Sequence, residues 1–112
     1  MIFVTGPLFA GKKAYIRQAL GLSCEEFSRR AVWDVQAMAA NAPDLPALAD
    51  SLAAREIVIA TETGGGVVPV EAAERAEREA AGRLSCLLAE RADTVIRVCC
   101  GLPQLLKGEL PC

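Results

Sequence analysis

The sequence has 112 residues, of which 53% are hydrophobic, and its 12 basic and 14 acidic residues give a formal net charge of −2. This length supports one hydrophobic core, so residues 1–112 are predicted to form a single domain. No apolar run approaches the roughly 18 residues that a membrane span needs, and no signal peptide is recognisable, so we expect no membrane association. The balanced charge argues against a nucleic-acid-binding surface.

The sequence contains five cysteines and no histidine. An odd number of cysteines without a C-x-x-C pair is typical of reduced thiols, which predicts a cytoplasmic protein. Cys99 and Cys100 end an apolar segment and are predicted to line the core instead of binding a ligand. The absence of histidine removes the commonest general base and the commonest zinc ligand.

Predicted strands and helices alternate along the chain. The strands are predicted at residues 2–5, 31–34, 56–61 and 94–99. The helices are predicted at residues 11–20, 35–41, 45–55 and 70–91. Residues 22–30 give only a weak, mixed pattern, and a Gly-Leu-Pro tail follows the last strand. This alternation predicts an α/β fold with a parallel sheet of about four strands and helices on both faces.

The first strand runs into a glycine-rich segment with the G-x-x-x-x-G-K spacing of a phosphate-binding P-loop, which makes the predicted α/β fold P-loop NTPase-like. Its residues are Gly6, Pro7, Leu8, Phe9, Ala10, Gly11, Lys12 and Lys13. Gly6 and Gly11 would bring backbone N–H groups close to an anion, and the next helix adds the positive end of its dipole. Lys12 is predicted to bind the terminal phosphates of ATP or GTP and to act in catalysis. The alternative is a glycine turn that binds no ligand.

Position 13 departs from the P-loop motif, which has Ser or Thr there to place a hydroxyl on Mg²⁺. An ammonium cannot ligate a cation, and Lys13 adds a positive charge where the metal would lie. The sequence therefore predicts a nucleotide ligand while putting Mg²⁺ in question.

A second candidate segment follows the 56–61 strand, where Glu62 precedes a run of glycines that includes Gly64 and Gly66. In open α/β sheets, ligands bind beyond the carboxyl ends of the strands, and glycines let a ligand or subunit approach the backbone. The local sequence is equally compatible with a flexible turn and a solvated glutamate.

The 70–91 helix carries Arg75 and Arg78 opposite its apolar side, with Arg83 at the border. Its interior Gly82 costs about 1 kcal/mol relative to alanine, which suggests that a helix, a subunit or a phosphate packs closely there. The alternative is a solvated face stabilised by i,i+4 ion pairs.

The second half of the sequence contains a series of residues that matches a known family in order and spacing. These residues are Thr61–Pro69, Arg75, Arg78, Ala81–Arg83, Leu88–Ala89, Ala92–Asp93, Gly101–Pro103 and Leu106–Lys107. They resemble the C-terminal half of the adenosylcobinamide kinase / adenosylcobinamide-phosphate guanylyltransferase family, bifunctional enzymes that attach the nucleotide loop of cobalamin. The P-loop stands at the family's N-terminal position, and the resemblance covers residues 1–20 and 57–110.

The resemblance implies a kinase-like site. Asp34 would serve the metal through water, and Glu62 would be a base or a metal ligand. The family's trimeric assembly implies a homo-oligomer. The residues expected to contact a ligand or a subunit are Gly64, Gly66, Arg75, Arg78, Gly82 and Arg83.

Family members are longer, and the material missing here lies mainly between the P-loop helix and Asp34. That material carries the family's guanylylated histidine, so guanylyl transfer is not expected of this sequence. Two function classes remain open: an enzyme that phosphorylates adenosylcobinamide or a related alcohol, and a non-catalytic binder of a nucleotide or a corrinoid.

Overall fold

The computed structural model describes residues 1–62 and 71–111. Its five strands are β1 (Ile2–Gly6), β2 (Ala31–Val32), β3 (Ile57–Thr61), β4 (Thr94–Cys99) and β5 (Leu102–Lys107). Its helices are α1 (Lys12–Leu20), α2 (Cys24–Arg30), α3 (Gln36–Ala39), α4 (Leu45–Ala53) and α5 (Ala72–Arg91). None of these helices is long and apolar enough to cross a membrane.

The strands form one sheet in the order β2-β3-β1-β4-β5. The pairs β2–β3, β3–β1 and β1–β4 are parallel, whereas β5 runs antiparallel to β4. The predicted mostly parallel α/β sheet is therefore confirmed, and the predicted count of four strands is wrong. The fifth strand lies in the tail that follows Gly101, where all six residues are exposed and a proline interrupts the pattern. Such an edge strand carries no core-facing apolar signal.

Helices cover both faces of the sheet, as predicted. On one face Phe3 and Val58 pack with α3, α4 and α5 around the fully buried Leu84 and Leu88. On the other face Val4, Ile59 and Ile96 pack with Ile16 of α1 and Phe27 of α2. Alternate residues of the central strands thus supply two cores, because successive side chains of a strand point to opposite faces.

Helix α2 lies in the segment whose pattern is weak in the sequence. Ser23 caps its N-terminus by accepting a hydrogen bond from the N–H of Glu26, and the Glu26 side chain accepts one from the N–H of Ser23. This capping box satisfies two backbone donors. The Ser23–Glu26 spacing is therefore the signal in the sequence that indicates a helix here and that was missed. Only Phe27 of its seven residues is buried, so the helix leaves almost no apolar periodicity to detect.

Strand β2 is shorter than the predicted strand at 31–34 and ends at Val32. Trp33 and Asp34 lie beyond it, and Asp34 adopts a positive φ of 56°. The chain therefore turns at Asp34 before α3, and this turn places Asp34 beyond the carboxyl end of the sheet.

The prediction that Cys99 and Cys100 line the core is wrong, because both side chains are exposed. Cys99 is the last residue of β4, and Cys100 and Gly101 form the two-residue link to β5 with φ values of 54° and 74°. Such hairpin links favour Asn-Gly and Gly-Gly, since both central residues need a positive φ. A cysteine in this conformation carries backbone strain of about 1–2 kcal/mol.

Replacing Cys100 by glycine is therefore expected to stabilise the fold by up to about 1 kcal/mol, less than the strain because glycine also gains freedom in the unfolded chain. Thermal denaturation should then show a melting temperature higher by about 2–4 °C. Cys100→Ser is the matched control, because it removes the thiol and keeps the strained Cβ. An equal gain in Cys100→Ser would show that the thiol, and not the backbone, limits stability.

Candidate phosphate-binding site

The glycine-rich segment joins the end of β1, at the centre of the sheet, to the start of α1. Gly11 adopts a φ of 86° as the N-terminal cap of α1. No side chain in the described ranges caps this helix, and its first turn contains no acidic residue. The first N–H groups of an α-helix have no partner within the helix, so an uncapped N-terminus favours a bound anion.

The link between β4 and β5 holds the glycine-rich segment from the other side. The Gly101 N–H donates a hydrogen bond to the carbonyl oxygen of Ala10 at 2.8 Å. A Cβ on Gly11 would lie 3.4 Å from the Cα of Gly101, and a Cβ on Gly6 would lie 2.1 Å from the carbonyl oxygen of Val98. Both glycines of the motif therefore pack against β4 and its link, which fixes the course of the loop.

Lys12 lies inside the curve of the loop and is only 8% exposed. Its ammonium donates hydrogen bonds to the carbonyl oxygens of Pro7 at 2.7 Å and Gly6 at 3.2 Å. Burial lowers the pKa of Lys12, while the charges of Asp34 and Glu62 act in the opposite direction and that of Lys13 adds to the lowering. A buried cation beside an uncapped helix N-terminus is a strong attractor for an anion.

A cavity of about 350 Å³, which we call the phosphate-site cavity, opens beside this loop. Asp34, which follows β2, lines it together with Lys12 and Lys13 of α1 and Thr61 from the end of β3. Phe9 also borders the cavity, at a positive φ of 58° and with 95% of its side chain exposed. The cavity lies where the sequence predicts phosphate binding, at the carboxyl ends of the parallel strands.

Lys13 does not point freely into solvent. Its ammonium lies 4.7 Å from the centre of the Trp33 ring, within the range of a cation–π interaction. Trp33 in turn stacks on Phe27, with ring centres 5.4 Å apart and an angle of 16° between the planes. The aromatic pair thus restrains the second lysine at the mouth of the cavity.

Glu62 lies beside the start of the loop and is engaged by Arg97. Its N–H donates to the carbonyl oxygen of Gly6 at 2.8 Å, and its carboxylate accepts hydrogen bonds from Arg97 Nε at 2.6 Å and Nη2 at 3.0 Å. The Arg97 hydrogen bond is the main reason why the pKa of Glu62 is lowered, and burial opposes it. A carboxylate with both oxygens in a bidentate ion pair and a lowered pKa is a weak general base.

Arg97 was missed at the sequence level. The available signal was a basic residue inside the apolar run Val95-Ile96-Arg97-Val98, where an unpaired charge is unfavourable. Its partner Glu62 is 35 residues away in the sequence, so only the pairing of β1 with both β3 and β4 reveals the contact.

The residues at the site do not fit a resident Mg²⁺ ion. Mg²⁺ requires near-octahedral oxygen ligands. Lys13 stands where the motif has its hydroxyl ligand, and Arg97 holds both Glu62 oxygens. Asp34 is the only carboxylate among the described residues that line the cavity.

The predicted contact residues on α5 lie apart from this cavity. Arg83 lines a separate cavity between α5 and the segment joining α3 to α4, and Arg78 lies near Gln36 of α3. None of the described residues lining the phosphate-site cavity comes from α5. Arg75 is exposed on the first turn of the helix, and the predicted contacts Gly64 and Gly66 lie outside the described residues.

Gly82 is exposed, and a Cβ there would meet no atom of the described chain within 4 Å. The prediction that another helix packs closely against Gly82 is therefore wrong for the described part of the chain. A second subunit remains a prediction.

Fold and site together define an α/β protein whose glycine–lysine loop lies at the carboxyl ends of a mostly parallel sheet. The sequence model of the family described as Cobinamide kinase / cobinamide phosphate guanyltransferase (CobU) matches residues 2–106. The chain belongs to this family. A comparison with curated proteins found no match.

Proposed function

We propose that this protein is a nucleotide-binding member of the family in cobalamin biosynthesis, with a P-loop NTPase-like site that binds ATP or GTP through residues 6–13. The observation that carries this proposal is the buried Lys12 ammonium, held by loop carbonyls beside the uncapped N-terminus of α1. A triphosphate at that position would replace hydrogen bonds from the ammonium to neutral carbonyl oxygens by hydrogen bonds to charged phosphate oxygens. The free thiols are compatible with the reducing cytoplasm, where we place the protein.

Guanylyl transfer through histidine is excluded from the proposed function. A covalent guanylyl-histidine needs an imidazole nitrogen, and the chain has no histidine. Incubation with labelled GTP should therefore leave no acid-labile nucleotide on the protein. Acid-labile N–P labelling of the purified chain would contradict this expectation.

A kinase that phosphorylates adenosylcobinamide or a related alcohol is the second candidate. It is favoured by the closeness of Asp34 and Glu62 to Lys12, since both carboxylates influence the Lys12 ammonium electrostatically. The Arg97 ion pair at Glu62 and the ammonium of Lys13 favour the binder instead. A corrinoid is the corresponding candidate for a second ligand in either function.

Two measurements separate these candidates. Thermal denaturation of the wild-type protein with millimolar ATP or GTP should show a higher melting temperature. The absence of this shift with every nucleotide would overturn the proposed function.

Turnover is then assayed with nucleotide and adenosylcobinamide. We expect none in the wild type; phosphoryl transfer by the wild type, or transfer gained by Lys13→Ser, would support the kinase.

We also propose a homo-oligomer, a trimer by family analogy. The first turns of α5 extend beyond the core with almost every residue exposed, and Gly82 offers open space for a close neighbour. Light scattering should give a mass above that of one 11.8 kDa chain. A monomer mass at all concentrations would contradict this proposal.

A further inference from the structure

We infer that this site binds the triphosphate of a nucleotide without a divalent cation, and that the Lys13 ammonium supplies the positive charge that a metal supplies in other P-loops. The inference rests on the proposed nucleotide binding and adds what balances the phosphate charge. It follows because the side chains at the site offer too few free oxygen ligands for Mg²⁺.

The charges at the cavity favour an anion over a cation. Lys12 and Lys13 both line it, and the only carboxylate among its described lining residues is Asp34. Glu62 and Arg97 form a neutral pair nearby and add little net charge. A divalent cation would enter beside two ammonium groups with one carboxylate free to bind it, whereas a polyphosphate would meet two cations and the N–H groups of α1.

The contact of Lys13 with an aromatic ring places its ammonium where it can balance phosphate charge. The Lys13 ammonium lies over the Trp33 ring, and this ring also stacks on Phe27, so the aromatic pair holds the ammonium near the cavity. Lys13 itself is exposed, and a cation–π interaction at an exposed site is weak. A phosphate oxygen can therefore draw the ammonium off the ring, in exchange for a charge-assisted hydrogen bond.

The same geometry provides a local reporter. Trp33 is the only tryptophan in the chain, so its fluorescence reports on the ring beneath Lys13. Binding of ATP in EDTA should change this fluorescence as the ammonium leaves the ring. Isothermal titration calorimetry on the same samples gives the dissociation constant.

The experiment titrates ATP into the full-length protein with EDTA and, in parallel, with millimolar Mg²⁺. The wild-type dissociation constants in the two buffers should agree within about threefold, equivalent to less than 1 kcal/mol. Lys13→Ser should weaken binding in EDTA about tenfold or more, because one charge-assisted hydrogen bond is lost. Lys13→Gln, which offers neither charge nor a hydroxyl ligand, should weaken binding in both buffers.

Arg29→Ser is the matched control. Arg29 is exposed on α2 and is not among the cavity-lining residues, so the variant removes one positive charge elsewhere. Its ATP affinity should stay within about twofold of wild type if local chemistry, and not net charge, decides binding. Melting curves of all variants confirm that each one is folded.

The outcomes distinguish the two proposals. Wild-type binding that requires Mg²⁺, or unchanged affinity of Lys13→Ser in EDTA, would overturn metal-free binding and leave the nucleotide-binding function standing. No binding in either buffer would overturn both. Equal losses in Arg29→Ser and Lys13→Ser would overturn the specific role of Lys13.

Discussion

Gly6→Ala is expected to destabilise the protein by about 3–5 kcal/mol, a large fraction of the stability of a small domain. The added Cβ would lie 2.1 Å from the Val98 carbonyl oxygen, which belongs to the backbone of a central strand and cannot move aside. Gly6 also has a φ of 153°, a conformation that residues with a side chain rarely adopt. Guanidinium denaturation monitored by circular dichroism measures the decrease in the free energy of unfolding.

Gly82→Ala is the matched control for this prediction. Gly82 lies in the interior of α5, and an added Cβ meets no described atom within 4 Å. Alanine should therefore stabilise an isolated chain by up to about 1 kcal/mol through helix propensity. Gly6→Ala and Gly82→Ala should thus change the free energy of unfolding in opposite directions. A loss below about 1 kcal/mol in Gly6→Ala would show that β1 and β4 are less closely packed than the structure indicates.

The parts of the fold that were predictable share one physical property, a local pattern strong enough to outweigh tertiary effects. Strand β3 is an apolar run that is buried almost completely, β1 and β4 are largely apolar with buried residues in their interiors, and α5 has clear periodicity. The spacing of Gly6, Gly11 and Lys12 predicted a loop at the carboxyl end of β1, where the structure places it. Local sequence is sufficient here because each signal lies within a few residues.

The features that were missed depend on contacts between distant residues or on exposed positions. Strand β5 exists because β4 offers it an edge, and its own six residues are exposed. The Glu62–Arg97 pair joins the ends of strands that meet only through β1. The contact of Lys13 with Trp33 likewise needs α1 and the end of β2 to be adjacent. A linear pattern carries no information on the distance between such partners. The role of base or metal ligand that the family resemblance implied for Glu62 therefore did not include its arginine partner.

Lys12→Met is expected to weaken ATP or GTP binding about 100-fold or more and to remove the nucleotide-dependent shift in melting temperature. Methionine keeps an unbranched apolar stem in the buried loop but removes the ammonium, and hydrogen bonds to charged groups contribute about 1.5–3 kcal/mol each. Burial lowers the pKa of Lys12, and a phosphate that pairs with the charged form should raise that pKa again. Isothermal titration calorimetry measures the affinity, and thermal denaturation with and without nucleotide measures the shift.

Lys107→Met is the control that separates phosphate binding from a structural role. Lys107 also donates two hydrogen bonds to backbone carbonyl oxygens, those of Ala89 and Glu90 at 3.1 Å each, but at the C-terminal end of α5. Both variants lose a lysine that bonds two carbonyls, and only Lys12 lines the phosphate-site cavity. If Lys12 acts on the ligand, Lys107→Met binds nucleotide like wild type. If both variants lose affinity to the same extent, or if Lys12→Met still binds, the ammonium of Lys12 supports the loop and does not hold phosphate.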